Sequence, residues 1–430
     1  MYLSEIKIEN FRCFENIDIT FDSQMNVIVG NNGMGKSSLL DAVKIGIGSF
    51  FLGIESVKAT SINKKDVRFV TCEVNNSLDR QPQFPVSISC TGFFNGNTLK
   101  WSRQLKTESG STTYGEAVSI KNAAKSIQNA IRHGDNNIDL PLLSHYGTDR
   151  LVEESRKSDI NSAFTNRFQG YTSKLSSKID KGQMLSWLKK MTFQELQDGK
   201  QIPELKAVQQ AMAECFKDSC YTADDVKVRF GIKSDEIEIS YIDSDGKKII
   251  QLFSELSDGF RSALSLTADI AYRMAILNPQ YLEDVTKKTE GIVLIDEIDQ
   301  HLHPRWQRNI ISSLMSIFPK VQFIVTTHSP NVIASVKRGK IIMLNRNEWY
   351  CYDNIYGKDT NSVLSEVMDV KSRPDEVADL FSEFYDYLND ENYIKAEECL
   401  NKLAEIIGES DSEYVSVRVA LDFEKAADEF

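Results

Sequence analysis

Eight residues constrain this chain more than any others. They are Gly30-Asn31-Asn32-Gly33-Met34-Gly35-Lys36-Ser37, set between an apolar run, Met25 to Val29, and a helix-like run, Ser38 to Gly48. The pattern G-x-x-x-x-G-K-[ST], after a strand and before a helix, is that of a phosphate-binding loop. Its glycines let backbone N–H groups close around an anionic chain, and the helix N-terminus adds positive potential at the same point. Lys36 is expected to reach the β- and γ-phosphates of a nucleotide, and the Ser37 hydroxyl to complete the shell of a Mg²⁺ ion. Asn31, Asn32, Gly33, Gly35 and Ser38 complete the expected cradle.

Three later stretches gain meaning from that loop. Gly291-Ile292-Val293-Leu294-Ile295-Asp296-Glu297 reads as a buried strand ended by adjacent carboxylates. Asp296 is placed to hold a metal, and Glu297 to polarise an attacking water. Val321 to Val325 is a second core strand, delivering Thr326-Thr327-His328-Ser329-Pro330. His328 would then emerge on the same edge as Asp296, where parallel strands end and ligands bind. Leu256-Ser257-Asp258-Gly259-Phe260-Arg261-Ser262 leads straight into the apolar helix Ala263 to Leu277. Ser257, Asp258 and Gly259 form a second anion-binding helix end, although a plain N-cap explains the first two equally well.

Charge matters because of how it is distributed. The 430 residues carry a net charge of -12, yet from Asp375 to Phe430 there are 17 acidic residues against 4 basic ones. The acidity belongs to the tail. Between Lys121 and Lys190 there are 12 Lys and Arg against 7 Asp and Glu, a surface open to nucleic acid or simply a solvated helical face. Seven scattered cysteines without a Cys-x-x-Cys pair argue against a disulfide framework and a zinc site. No segment reads as a leader or a membrane span, so a cytoplasmic protein without membrane contact is expected.

Along the chain, Leu3 to Phe11, Ile17 to Phe21 and Met25 to Val29 read as strands. Between the first two, Arg12 reads equally as a surface charge and as a nucleotide contact. Val67 to Val74, Val86 to Thr91 and Leu99 to Leu105 suggest an antiparallel layer, with Gln81 and Gln83 in a Pro-containing turn. Glu116 to His133 reads as a helix, and Leu142 to Tyr146 as a buried strand ending in Gly147-Thr148-Asp149-Arg150, a site loop or a structural turn. Asn161 to Asp218 reads as mainly helical, broken at Gly170, Gly182 and Pro203. Three short strands follow between Val226 and Phe253. His301 and His303 look like a ligand pair but lack a third partner, so a loop or helix-start role is preferred. The tail reads as amphipathic helices. The expected division is 1–150, 151–225, 226–350 and 351–430: two halves of a nucleotide-binding head, a helical insertion between them, and an acidic helical region.

With these residues quoted, the chain resembles the ATP-binding-cassette type ATPases of the RecF, SMC and Rad50 kind over Met1 to Leu40 and Phe253 to Leu344. GNNGMGKSS is similar to their Walker A loop, LSDGFRS to the signature motif, IVLIDEID to the Walker B strand and TTHSP to the switch histidine. The longer wording also resembles compact bacterial anti-phage ATPases, the PtuA of Septu and retron-linked systems, often paired with an HNH endonuclease. The resemblance implies an α/β P-loop fold, ATP and Mg²⁺ as ligands, and hydrolysis by Glu297 with His328. It implies a head-to-tail homodimer in which Ser257 and Gly259 of one subunit close over the γ-phosphate at Lys36 of the other. A separate nuclease effector and DNA or RNA are the further partners implied. Two positions depart from the pattern: Asp258 stands where a second Gly is usual, and no Q-loop glutamine is evident, leaving the loop ending in Arg150 as a replacement. RecF-like DNA repair is the alternative reading, and a transporter ATPase subunit a more distant one.

Overall fold

The computed structural model describes residues 1–74, 77–150, 166–171, 175–220, 223–371 and 373–428. The chain opens with β1 (Tyr2–Phe11), β2 (Phe14–Thr20) and β3 (Met25–Val29), then α1 (Lys36–Ile47). Next come β4 (Phe69–Val74), β5 (Ser77–Pro82), β6 (Val86–Phe94), β7 (Asn97–Leu105), α2 (Val118–Arg132) and β8 (Leu142–Tyr146). Two helices, α3 (Lys181–Asp198) and α4 (Pro203–Ser219), precede the meander β9 (Asp224–Gly231), β10 (Glu236–Ile242) and β11 (Lys248–Leu252). The long helix α5 (Asp258–Leu277) then leads to β12 (Gly291–Ile295), β13 (Val321–Thr326), β14 (Lys340–Asn345) and β15 (Glu348–Tyr352).

The central sheet has the order β15-β14-β3-β13-β12-β8, parallel throughout except for β15. Its strands β3, β8, β12 and β13 are buried along their whole length, which is why they read as mainly apolar runs rather than alternating ones. A second sheet, β2-β1-β6-β7, is antiparallel and takes in the Val86 and Leu99 strands expected for an added layer, whereas the expected Val67–Val74 strand, β4, pairs with β5 in a two-stranded sheet of its own. Helix α1 is apolar on more than one face, with Leu39, Leu40, Ala42, Val43, Ile45 and Ile47 all buried. Trp101 of β7 donates to the α1 carbonyl of Gly46 at 2.8 Å. A buried amide helps tie the two sheets: Gln322 of β13 accepts from the Leu3 N–H of β1 at 2.8 Å and donates to the Leu3 carbonyl at 2.7 Å.

Some local expectations change. Gln81 lies inside β5, paired with Val70 of β4, and Gln83 donates its backbone N–H to Arg68, because a hairpin there absorbs the Pro-containing stretch. Gly182 does not break a helix; it sits in the first turn of α3, which Asp180 caps by accepting from the Gln183 N–H at 3.0 Å. Pro203 occupies the first position of α4, where its missing N–H costs nothing. The part of the expected helical insertion over 151–165 and 172–174 falls outside the described residues.

The chain forms two compact units, Met1–Lys358 and Asp359–Phe430. The second is built on the helices Asp375–Asn389, Tyr393–Ile407 and Ser412–Asp428, around a core that includes Phe381, Phe384, Leu400, Leu403, Val417 and Leu421. No helix among the described residues is long and apolar enough to cross a membrane.

Asn278 shows how the first unit sets the start of its strands. Fully buried at the end of α5, it exchanges two 2.9 Å bonds with the Leu140 backbone just before β8, and donates to Thr289 just before β12. Replacing it by Ala strands the buried Leu140 N–H and carbonyl. Asn278→Ala is therefore expected to lower the stability of this unit by about 2–4 kcal/mol, read as an earlier midpoint in urea unfolding.

Candidate functional site

The parallel strands β3, β13, β12 and β8 lie side by side, and their carboxyl ends carry the Lys36 loop, Asp296, Glu297 and His328. After β3 the chain turns through Gly30 to Gly35 into α1. Gly35 caps the helix in a left-handed conformation at φ 100°, and a Cβ there would lie 2.6 Å from Cys13 Sγ and 2.7 Å from the Phe14 ring, so only glycine fits. Lys36 is buried and its Nζ donates to the carbonyls of Gly30 at 2.6 Å and Asn31 at 3.1 Å, which puts the ammonium inside the concavity of the loop. Asn31, Asn32, Gly33 and Ser37 are exposed, and Ser38 is half-buried beside Cys13. Burial pulls the Lys36 pKa down, while Asp296, Glu297 and Asp299 pull it back up. The lysine of one segment and the carboxylates of another, more than two hundred residues on, share one electrostatic environment.

A single hydroxyl organises the acidic turn. Thr326 Oγ1, at the end of β13, donates to Asp296 Oδ1 at 2.5 Å and accepts from the Glu297 N–H at 2.8 Å. Glu297 itself has a left-handed backbone, φ 48°. Thr327 donates to Asp299 at 2.5 Å, and its oxygen receives the N–H of Ser329, so His328 is held between two anchored neighbours. Burial and Lys36 both lower the His328 pKa against the opposite pull of Asp299, Glu297 and Asp296. The imidazole is thereby favoured in its neutral form, able to accept a hydrogen bond on one nitrogen and donate on the other.

Other residues take places the sequence did not fix. Arg12 is held by Asp41 of α1 at 2.7 Å and by the buried Asp66 at 2.8 Å, so its charge is paired within the chain and braces α1. Arg150 is buried and its guanidinium donates to the carbonyls of Asp296 at 2.8 Å and Glu297 at 3.0 Å. His303 Nδ1 accepts from the Arg305 N–H and caps the short helix Pro304–Gln307, while His301 occupies a left-handed turn position at φ 65°. No group of three or more metal-ligating side chains occurs among the described residues. Sequence reading missed Thr326 and His145; the first is a common strand residue, and the second is a lone His between Ser144 and Tyr146 in β8 whose nearness to Lys44, Asp41 and Asp296 only folding reveals.

Ser257, Asp258 and Gly259 stand apart. Ser257 stands at the N-cap of α5 without a side-chain cap bond, Asp258 is tied to Arg261, and a Gly259 Cβ would lie 2.7 Å from the His301 carbonyl. Among the described residues no hydrogen bond or ion pair joins these three to residues 30–38. They are exposed or half-buried, whereas the strand-end groups converge.

A family model described as an AAA domain matches residues 5–219, half of the chain, and one described as an AAA ATPase domain matches residues 254–333. The chain belongs to the AAA-domain family. Within it this protein is an ATPase, and it binds nucleotide. It is 26% identical to the retron Ec83 probable ATPase of Escherichia coli, over 100% of this chain and 88% of that protein. It is 26% identical to the retron Vc95 probable ATPase of Vibrio cholerae, over 86% and 80% respectively. Septu protein PtuA of Bacillus thuringiensis is likewise 26% identical, over 94% of this chain and 93% of its own length. Among solved structures, the SMC head domain from Thermotoga maritima aligns with a TM-score of 0.46 and 16% identity, over 82% of this chain and 99% of that one.

Two outcomes follow for the ATPase. Thr326→Val keeps the shape of the side chain and removes both of its hydrogen bonds to the acidic turn. The turnover rate is expected to fall about 10–100-fold with nucleotide affinity little changed, measured by phosphate release and by titration with a fluorescent ATP analogue. Burial, aided by Lys44, pushes the His145 pKa down to about 4 from the usual 6.5. A depressed imidazole pKa means the unfolded chain takes up the proton first. The stability it confers is intact above pH 6.5 and is lost as pH falls toward 4, by up to about 3 kcal/mol. His145→Gln is expected to flatten that part of the stability profile in urea melts at stepped pH.

Proposed function

We propose that this ATPase works as a head-to-tail homodimer, that ATP with Mg²⁺ binds at the Lys36 loop, and that the hydrolytic cycle controls a separate nuclease in an anti-phage complex. The observation that carries the catalytic part is the convergence of Lys36, Asp296, Glu297 and His328 at one strand edge, with the charges of the three acids acting on the lysine. Lys36 and the loop N–H groups, including those of Gly33, Gly35, Ser37 and Ser38, bind the phosphates. Glu297 holds and polarises the attacking water, and neutral His328 hydrogen-bonds the terminal phosphate. The donor set fits a magnesium ion: Ser37 offers a hydroxyl, and Asp296 keeps one carboxylate oxygen that Thr326 does not occupy, both hard oxygen ligands. When bound, the ion supplies charge neutralisation of the phosphate oxygens.

The dimer follows from the signature residues. Ser257 stands at a helix N-terminus, an anion-binding end, and makes no side-chain cap bond there. A two-fold arrangement places it over the neighbour's Lys36 loop and makes both composite sites equivalent. The names of the relatives, retron ATPases and Septu PtuA, support the defence assignment, and the strongly acidic second unit favours a protein partner over nucleic acid for that unit. Binding of DNA or RNA falls to the basic stretch between Lys121 and Lys190. A cytoplasmic site of action is part of this proposal. RecF-like repair is the second reading: RecF proteins of Lactobacillus and Bacillus match over 10–16% of the chain.

Replacing Glu297 by Gln removes the base and keeps the fold. Glu297→Gln is expected to bind ATP as the parent does and to lose hydrolysis by a factor of at least about 10². Specific activity of the parent is expected to rise with protein concentration through the dimerisation range. Hydrolysis by Glu297→Gln at the parent rate, or a flat concentration dependence, contradicts the proposal.

A further inference from the structure

Glu297 must point its carboxylate at one water, and its own backbone does not favour the conformation it adopts. At φ 48° a residue with a Cβ costs about 1 kcal/mol or more relative to its ordinary regions. Two peptide planes flank the Glu297 Cα, and their orientations decide where the side chain leaves the backbone. The plane before it carries the Asp296 carbonyl and the Glu297 N–H; the plane after it carries the Glu297 carbonyl and the Ile298 N–H. Thr326 holds both from the N–H side, through its hydroxyl to Glu297 and its carbonyl to Ile298 at 3.0 Å. Arg150 holds both from the carbonyl side, Nη1 to Asp296 and Nη2 to Glu297.

We infer that Arg150 is the positioning residue for Glu297, fixing the two peptide planes around its Cα with one rigid guanidinium. The inference rests on the proposed role of Glu297 as base. A planar fork with two parallel donors suits the task, and an ammonium, a single point on a flexible stem, does not. Arg150 is 2% exposed and also donates to the Gly147 carbonyl, so the guanidinium is turned into the protein and is not presented to a phosphate.

The loop that carries Arg150 is itself fixed. The Gly147 N–H donates to Ser177 at 2.9 Å, and the Arg150 carbonyl accepts from the Ile179 N–H at 3.2 Å. Just before them, the Tyr146 carbonyl accepts the Asp296 N–H at 2.8 Å, and the Tyr146 hydroxyl donates to the buried Asp269 of α5 at 2.7 Å. Arg273 one turn later donates to the same Asp269 oxygen at 2.6 Å. The base is thus aimed by a loop anchored on the helix whose first turn bears the signature residues.

The test compares Arg150→Ala, Arg150→Lys and Glu297→Gln in the full chain, with ATP affinity, turnover and thermal midpoint measured on each. Arg150→Ala is expected to lower kcat about 10–100-fold with KM for ATP within about threefold, and added methylguanidinium to restore part of the rate. Arg150→Lys is expected to stay well below the parent. Should Arg150→Ala fail to fold, Arg150→Gln, which is shorter but keeps a polar amide in the cavity and cannot span both carbonyls, carries the same comparison. Parent-like kcat in a folded Arg150 variant while Glu297→Gln is inactive overturns this inference and leaves the base assignment standing. A loss that appears in ATP affinity alone also overturns it, since the guanidinium would then be a nucleotide contact. Parent-like hydrolysis by Glu297→Gln instead overturns the assignment on which it rests.

Discussion

The chemistry of this protein depends on a hydroxyl at the end of one strand meeting the acidic turn at the end of the next. Thr326 sits where β13 leaves the sheet, and its contacts with Asp296 and the Glu297 N–H fix the two carboxylate residues relative to the strand lying between β12 and β3. Because β13 also pairs with β3, the same strand sets the distance from the acidic turn to the Lys36 loop. Gln322, four residues earlier on β13, ties that sheet to β1 of the antiparallel layer. One strand therefore transmits the register of the core to the site.

Buried polar groups hold this strand and its neighbours in register. Buried hydrogen-bonded networks are specific because leaving any member unpaired is expensive. Asn278, Gln322 and Arg150 each bridge segments distant in sequence, and each does so through backbone groups. Backbone partners are insensitive to the identity of the neighbouring side chain, so such bridges fix chain paths while leaving the site surface free to carry its own chemistry.

Much of this was legible in the sequence. The Lys36 loop, the β12 strand and the β13 strand each announce themselves locally, by glycine spacing or by an apolar run ended by polar residues. Parallel burial made the strands readable as continuous runs, and the fold class followed. Arg12, Arg150 and Gln81 were not readable in the same way, because their roles depend on what folding brings beside them. Arg12 finds Asp41 and Asp66, Arg150 finds two carbonyls almost 150 residues away, and Gln81 pairs in a hairpin whose second strand has no β-rich run. A guanidinium paired with carboxylates and one clamped on carbonyls look identical in a sequence. Thr326 escaped notice for the same reason: a threonine at a strand end is ordinary until its neighbour strand ends in Asp-Glu.

The central claim is that one triphosphate is enclosed by the Lys36 loop and acidic turn of one copy and by the Ser257 helix end of another. Mixing two inactive proteins, Lys36→Ala and Ser257→Arg, tests it directly. Random pairing gives mixed dimers with one wholly intact composite site, and the mixture is expected to recover about one quarter of the parent ATPase rate. A mixture as inactive as its two components would mean that each site is built within a single chain, and the account would be wrong at its centre.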